Sequence, residues 1–160
     1  MTKVGKPSFH LVLLEPEIPP NTGNIARLCA ATDTTLHLVG QLGFSLDDKH
    51  LKRAGLDYWP AVKLQLWDDL AALERHHPRA RWWYTSKKAD KIYWQAEFRT
   101  GDFLVFGRET RGLPAALLAA NLDRCLRIPM AAGPVRSLNL ATAAGIVLYE
   151  ALRQTSGPRP

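Results

Sequence analysis

The sequence predicts an α/β domain, a parallel sheet flanked by helices, and three observations carry that expectation. Short apolar runs alternate along the chain with segments of helical spacing. Pro-, Gly- and Asn-rich stretches fall between them. With 160 residues and a hydrophobic share of 46%, the chain can bury a core as one domain without metal or disulfide support.

The elements follow in order. Phe9 to Leu14 reads as a strand, the Pro- and Asn-rich segment Glu15 to Gly23 as a loop, and Ile25, Leu28 and Cys29 as the apolar stripe of a helix. Leu36 to Val39 is the next strand, Asp47 to Ala54 a helix, Val62 to Trp67 a strand, Asp68 to His76 a helix and Arg81 to Thr85 a strand. Phe103 to Phe106 and Cys125 to Ile128 add two more strands, with a short helix from about Pro114 between them. A last helix from about Ser137 to Arg153 is apolar over a face broad enough to meet both the sheet and a second subunit. Such alternation favours a parallel sheet covered on both sides, whose ligands sit beyond the carboxyl ends of the strands. Residues 1–160 read as a single domain, with 155–160 a Pro- and Gly-rich tail.

Lys and Arg outnumber Asp and Glu by 21 to 15, a net charge of +6 that suits a polyanionic partner. Neither a secretory leader nor a membrane-spanning run is visible, and the two cysteines, Cys29 and Cys125, sit in apolar segments away from any metal-binding spacing. A cytoplasmic protein with buried free thiols is expected. His10, His37, His50, His76 and His77 are scattered in sequence, with His76-His77 reading as an exposed helix end, and no metal is expected.

Three segments look built for a ligand. Asn21-Thr22-Gly23-Asn24-Ile25-Ala26-Arg27 places small and amide residues between a strand and a helix, where main-chain N–H groups at a helix start attract an anion. Arg27 lies off the apolar stripe; a simple cap at Asn21 and a solvated Arg27 explain the segment equally well. Phe106-Gly107-Arg108-Glu109-Thr110-Arg111-Gly112-Leu113 follows a strand and matches neither a P-loop nor a dinucleotide fingerprint. Ile128 to Ala141 runs through Pro129-Met130 and Arg136-Ser137-Leu138-Asn139, with Ser137 placed to cap the last helix.

In order and spacing these segments resemble the three motifs of the SPOUT-class, or α/β-knot, methyltransferases. Glu15 to Pro20, and Asp47-Asp48-Lys49 through Gly55-Leu56-Asp57-Tyr58, extend the likeness to the tRNA (cytidine/uridine-34-2′-O)-methyltransferase subgroup. Ala131 to Val135 is one residue longer than that pattern, and Ala141-Thr142 stands where Ser-Asn is usual.

The resemblance implies a C-terminal deep trefoil knot, S-adenosylmethionine as cofactor, a homodimer, and 2′-O-methylation of the wobble nucleotide of tRNA, with leucine acceptors as substrates. It implies a cofactor pocket lined by Tyr84, Gly107, Ile128 and Ser137, with Glu109, Met130, Leu138 and Asn139 as neighbours. Arg27 matches the catalytic position. A guanidinium stays charged at any ordinary pH, so its expected role is to hold phosphate or ribose and stabilise the developing alkoxide. Asn21, Asn24, Arg53, Lys87, Lys88, Arg108, Arg111 and Arg136 are the candidates for contact with the anticodon loop. Two alternatives remain open: a methyltransferase of this class acting on another tRNA or rRNA position, and a non-catalytic RNA-binding protein.

Overall fold

The computed structural model describes residues 9–55 and 59–156. The polar start before them, the tail from 157 and Leu56-Asp57-Tyr58 lie outside the described residues.

Among the described residues, seven parallel strands form one sheet: β1 (His10–Leu14), β2 (Thr35–Val39), β3 (Lys63–Trp67), β4 (Trp82–Thr85), β5 (Lys91–Ile92), β6 (Phe103–Phe106) and β7 (Cys125–Arg127). Their spatial order is β3-β2-β1-β6-β4-β7-β5. β1 is an interior strand, with His10 opposite Thr35 on one side and Phe103 on the other. The two-residue β5 carries too little sequence to show a period, which is why its pattern gave no signal.

Five α-helices among the described residues cover the sheet: α1 (Pro19–Ala31), α2 (Lys49–Gly55), α3 (Leu70–His76), α4 (Ala115–Ala120) and α5 (Leu140–Thr155). Period-two alternation separates two cores. Leu11, Leu13, Leu104 and Phe106 point to one face and pack with Ile25, Cys29, Ala144 and Leu148 of α1 and α5. Val12, Phe103 and Val105 point to the other, with Leu73 of α3 and Leu113 before α4.

Boundaries depart from the sequence reading where a cap decides them. α3 starts at Leu70 because Asp69 Oδ1 accepts from the Ala72 N–H at 2.8 Å. α5 starts at Leu140, not Ser137, because Asn139 Oδ1 accepts from the N–H groups of Ala141 and Thr142 at 2.9 and 3.4 Å. α1 begins at Pro19, so Asn21, Thr22 and Gly23, read as loop, lie in its first turns; Pro19 and Pro20 fit there because first-turn N–H groups have no helical partner. Gly23 serves packing: a Cβ on it would stand 2.5 Å from Ala54 Cβ and 2.7 Å from the Leu51 carbonyl oxygen, so α2 lies directly against it.

The histidines are not all scattered in space. His10 Nδ1 and His37 Nε2 are 2.9 Å apart, and Trp67 Nε1 donates to His37 Nδ1 at 3.0 Å. That donation puts the His37 proton on Nε2, aimed at His10. The His77 ring lies 5.5 Å from that of His10 and 4.9 Å from that of Phe103, so His77 packs inward while His76 is exposed. Burial holds His10 down at about 4 and His37 at about 3, with neighbouring imidazoles adding to the effect. His77 is also lowered, by burial and by His76.

Cys29 and Cys125 are buried free thiols, and burial raises both. Among the described residues no helix is long and apolar enough to cross a membrane.

Candidate active site

Because the strands are parallel, the segments after β1, β4, β6 and β7 emerge at one edge of the sheet. All three sequence segments meet there.

The α1 N-terminus has no side-chain cap of its own, since Ile18 stands at the cap position. The N–H of this cap residue and that of Glu17 before it are taken by Glu109 from the loop after β6. The carboxylate accepts from the Glu17 N–H at 2.9 Å, the Ile18 N–H at 3.1 Å and Asn21 Nδ2 at 3.4 Å. An anion does sit at this helix start, and it is the protein's own. Thr110 returns the link, donating through Oγ1 to Glu17 Oε1 at 2.7 Å.

Asn21 is buried, and its Oδ1 accepts from Asn139 Nδ2 at 2.9 Å. Its amide therefore joins the loop after β6 to the start of α5. Expected to touch substrate, Asn21 instead spends its side chain holding the loops. Glu109 and Asn139, expected beside the cofactor, make hydrogen bonds of the same framing kind.

Gly107 begins the second loop, where the chain folds back so tightly that a Cβ would stand 2.1 Å from the Gly112 carbonyl carbon and 2.3 Å from Leu113 N. Gly112 N donates to the Arg108 carbonyl at 2.8 Å, closing the turn. Arg108, expected to meet RNA, is ion-paired to Glu15. Glu15 holds φ +51, in the left-handed region, directly after β1; such conformations cost about 1–3 kcal/mol and persist where surrounding contacts enforce them.

The Tyr84 ring is 3% exposed and packs in the core with Val12 and Val105. Burial and the nearby Glu74 and Cys125 push its hydroxyl up to about 12. The sequence reading put Tyr84 in the pocket lining; its side chain is in the sheet's second core, because it shares the face of Phe103 and Val105.

From Met130 to Asn139 the segment lies at the surface in irregular conformation, with Met130, Val135 and Leu138 as exposed apolar side chains. Ile128 packs partly against the first core. Ser137 and Arg136 are exposed, as are Asn24, Arg27, Arg53, Lys87, Lys88 and Arg111. Arg27 stands six residues beyond Asn21, about 9 Å further along α1 from the loop edge.

The residues fit an adenosyl sulfonium ligand. An irregular, exposed segment with the apolar side chains of Met130, Val135 and Leu138 can hold a purine and ribose beside the tight Gly107 turn.

The fold and site define a class: a parallel α/β sheet with three chain segments joined by hydrogen bonds at its carboxyl edge. The chain belongs to the SpoU rRNA Methylase family, whose model matches residues 8–149.

A tRNA (cytidine(34)-2′-O)-methyltransferase of Saccharophagus degradans is 51% identical over 150 residues, covering 91% of this chain and 95% of that protein. A solved structure described as giving insights into 2-OH methylation of C/U34 on tRNA superposes with a TM-score of 0.88 at 51% identity, covering 94% of this chain and 97% of the other. The SpoU methyltransferase AviRb of Streptomyces viridochromogenes, solved in complex with AdoMet, gives a TM-score of 0.79 at 26% identity over 95% of this chain and 62% of its own.

Proposed function

We propose that this protein is an S-adenosylmethionine-dependent tRNA methyltransferase acting on the ribose 2′-oxygen of the wobble cytidine or uridine, with leucine acceptors as its substrates. The observation that carries the reading is the joining of all three segments through Asn21, supported by likeness to the Saccharophagus protein over nearly the whole chain.

When bound, S-adenosylmethionine supplies a sulfonium methyl group for transfer to the ribose 2′-oxygen. Gly107, Ile128, Met130, Ser137 and Leu138 are the residues to hold it, with Tyr84 contributing through its strand end, and Glu109 and Asn139 keeping the loops in place. Alignment of oxygen, carbon and sulfur is the main demand; well-oriented groups contribute roughly 7–11 kcal/mol to such a step. The framework bonds around Asn21 serve that demand by joining the loops before substrate arrives.

Arg27 acts on the nucleotide, as a charged donor to phosphate or ribose that stabilises the developing alkoxide while the proton leaves to water or a phosphate oxygen. Its position along α1, away from its own loop edge, supports a homodimer in which the site is completed across subunits. Exposed Ile18, Val135, Leu138 and Tyr149 near that edge and on α5 are apolar surface for such contact. Asn24, Arg53, Lys87, Lys88, Arg111 and Arg136 form the proposed RNA-facing surface. A knotted C-terminus belongs to the same reading; α5 packs on α1, while Gln154 donates to the Ala96 carbonyl at 2.9 Å and accepts from Phe98 N–H at 2.9 Å, placing the helix between distant segments.

The test is nucleoside mass spectrometry of tRNA from cells with and without the gene, followed by methylation of the changed tRNA in vitro. Loss of a wobble 2′-O-methyl group, restored by protein and cofactor, is expected. A methyl missing only elsewhere would overturn the assigned position, and no missing methyl would overturn the enzyme reading.

A further inference from the structure

At the sheet edge opposite the three loops, four cationic side chains face one open cavity. Arg81 precedes β4, Lys91 opens β5, Arg99 lies before β6 and Arg124 precedes β7, so parallel pairing gathers them at the amino-terminal ends of their strands. With Trp83 and Glu97 they line a cavity of about 440 Å³.

The cavity is organised by a buried carboxylate and an indole. Asp102, 2% exposed, accepts from Trp83 Nε1 and from the Arg99 N–H, each at 2.9 Å, and pairs with Arg81 Nε at 3.5 Å. The cationic groups of Arg124, Lys91 and Arg81 lie 4.8, 5.6 and 5.7 Å from the Trp83 ring centroid. Arg81 Nη2 donates to the Glu97 carbonyl at 2.9 Å and Lys91 Nζ to the Asp123 carbonyl at 3.3 Å. A neutral carbonyl thus holds Lys91 without countering its charge, whereas Arg81 is held by a carbonyl and also paired with Asp102.

Four cations against the carboxylates of Glu97 and Asp102 leave the cavity with excess positive charge, and an entering anion relieves their mutual repulsion. Guanidinium forks match the paired oxygens of a phosphate. Trp83 is only 3% exposed, packed in the first core against Phe98 with the cations near its ring, so it offers no open face for a base to stack on. The site selects for charge and not for a ring.

We infer that this cavity is a phosphate-binding site, filled either by a backbone phosphate of RNA or by the phosphate of a free nucleotide. The RNA source rests on the proposed tRNA activity; the cavity itself does not.

The experiment compares the whole protein with Arg99→Gln and with the Arg99→Gln, Arg124→Gln double variant, using S-adenosylmethionine affinity to show that the fold and the opposite edge are intact. Arginine Nε–Hε NMR signals are followed during titration with AMP, and tRNA affinity is measured against salt. Shifts of Arg99 and Arg124 with AMP, absent for Arg81-remote arginines such as Arg153, support a free-nucleotide source. For a backbone phosphate, the double variant binds tRNA about five- to eight-fold more weakly at 0.1 M salt, with a salt slope lower by roughly 0.7–0.9. Arg99→Gln, at an exposed position, shows a smaller change in the same direction and serves if the double variant does not fold. Unchanged arginine signals with both AMP and tRNA, together with unchanged affinity and slope, would overturn the site. Wild-type protein that methylates no tRNA overturns the functional reading alone, since the AMP arm still decides the cavity.

Discussion

Asn139 Nδ2 donates to Asn21 Oδ1 at 2.9 Å across 118 residues of sequence, while Asn139 Oδ1 caps α5 and Asn21 Nδ2 reaches Glu109. Two amides thus couple a helix start to the loops at the ligand edge. Each uses donor and acceptor at once, which neither aspartate nor alanine can do.

Asn139→Ala should lose both the cap and the bridge. A cost of about 1–2 kcal/mol in urea unfolding is expected from the cap, with weaker cofactor binding in calorimetry. Asn139→Asp keeps the cap acceptor but brings a carboxylate against Asn21 Oδ1. It should retain more stability than alanine while binding cofactor poorly; recovery of both properties would show that the bridge does nothing for the site.

Glu109→Ala removes the acceptor for two main-chain N–H groups at the α1 start. A loss of about 1–3 kcal/mol is expected by chemical denaturation. Glu109→Gln should fall between wild type and alanine, because one amide oxygen still accepts. Equal stability of all three would remove Glu109 from the framework.

The His10, His37 and His77 group should make the fold acid-sensitive. Their native values lie below the ordinary histidine value of 6.5, at about 4 for His10 and about 3 for His37. Between 6.5 and those values the unfolded chain binds more protons than the native chain, so stability is full above that window and declines as pH falls through it. His37, fully buried, alone supplies a slope of up to about 1.4 kcal/mol per pH unit. Denaturation at pH 7, 6 and 5 should show this decline, and His37→Gln should flatten it.

Gly23→Ala would raise helix propensity by roughly 1 kcal/mol on an isolated helix. Here the new methyl meets Ala54 Cβ and the Leu51 carbonyl, and overpacking of this kind costs about 1–3 kcal/mol. A net lower Tm is expected; a higher one would mean that α2 moves away freely.

Arg27→Lys should lower kcat/KM by more than ten-fold with cofactor affinity unchanged, because a point charge does not reproduce a planar fork. Near-normal turnover in a tRNA methylation assay would sink the proposed role.

Alternation of apolar runs with helical spacing was enough to place six strands and five helices, because burial on both sides of a parallel sheet leaves long apolar runs between polar loops. It also marked the three ligand segments, since glycines, amides and prolines stand out where the chain turns. What local pattern could not carry was partnership across the fold. That Glu109 caps α1, that Gly23 admits α2, that Tyr84 turns into the core and that three histidines meet on Phe103 depend on which strands lie side by side. The order β3-β2-β1-β6-β4-β7-β5 decided each of these, and it also gathered Arg81, Lys91, Arg99 and Arg124 at one edge. Strand order is a long-range choice made by packing both faces at once, so no window of sequence contains it.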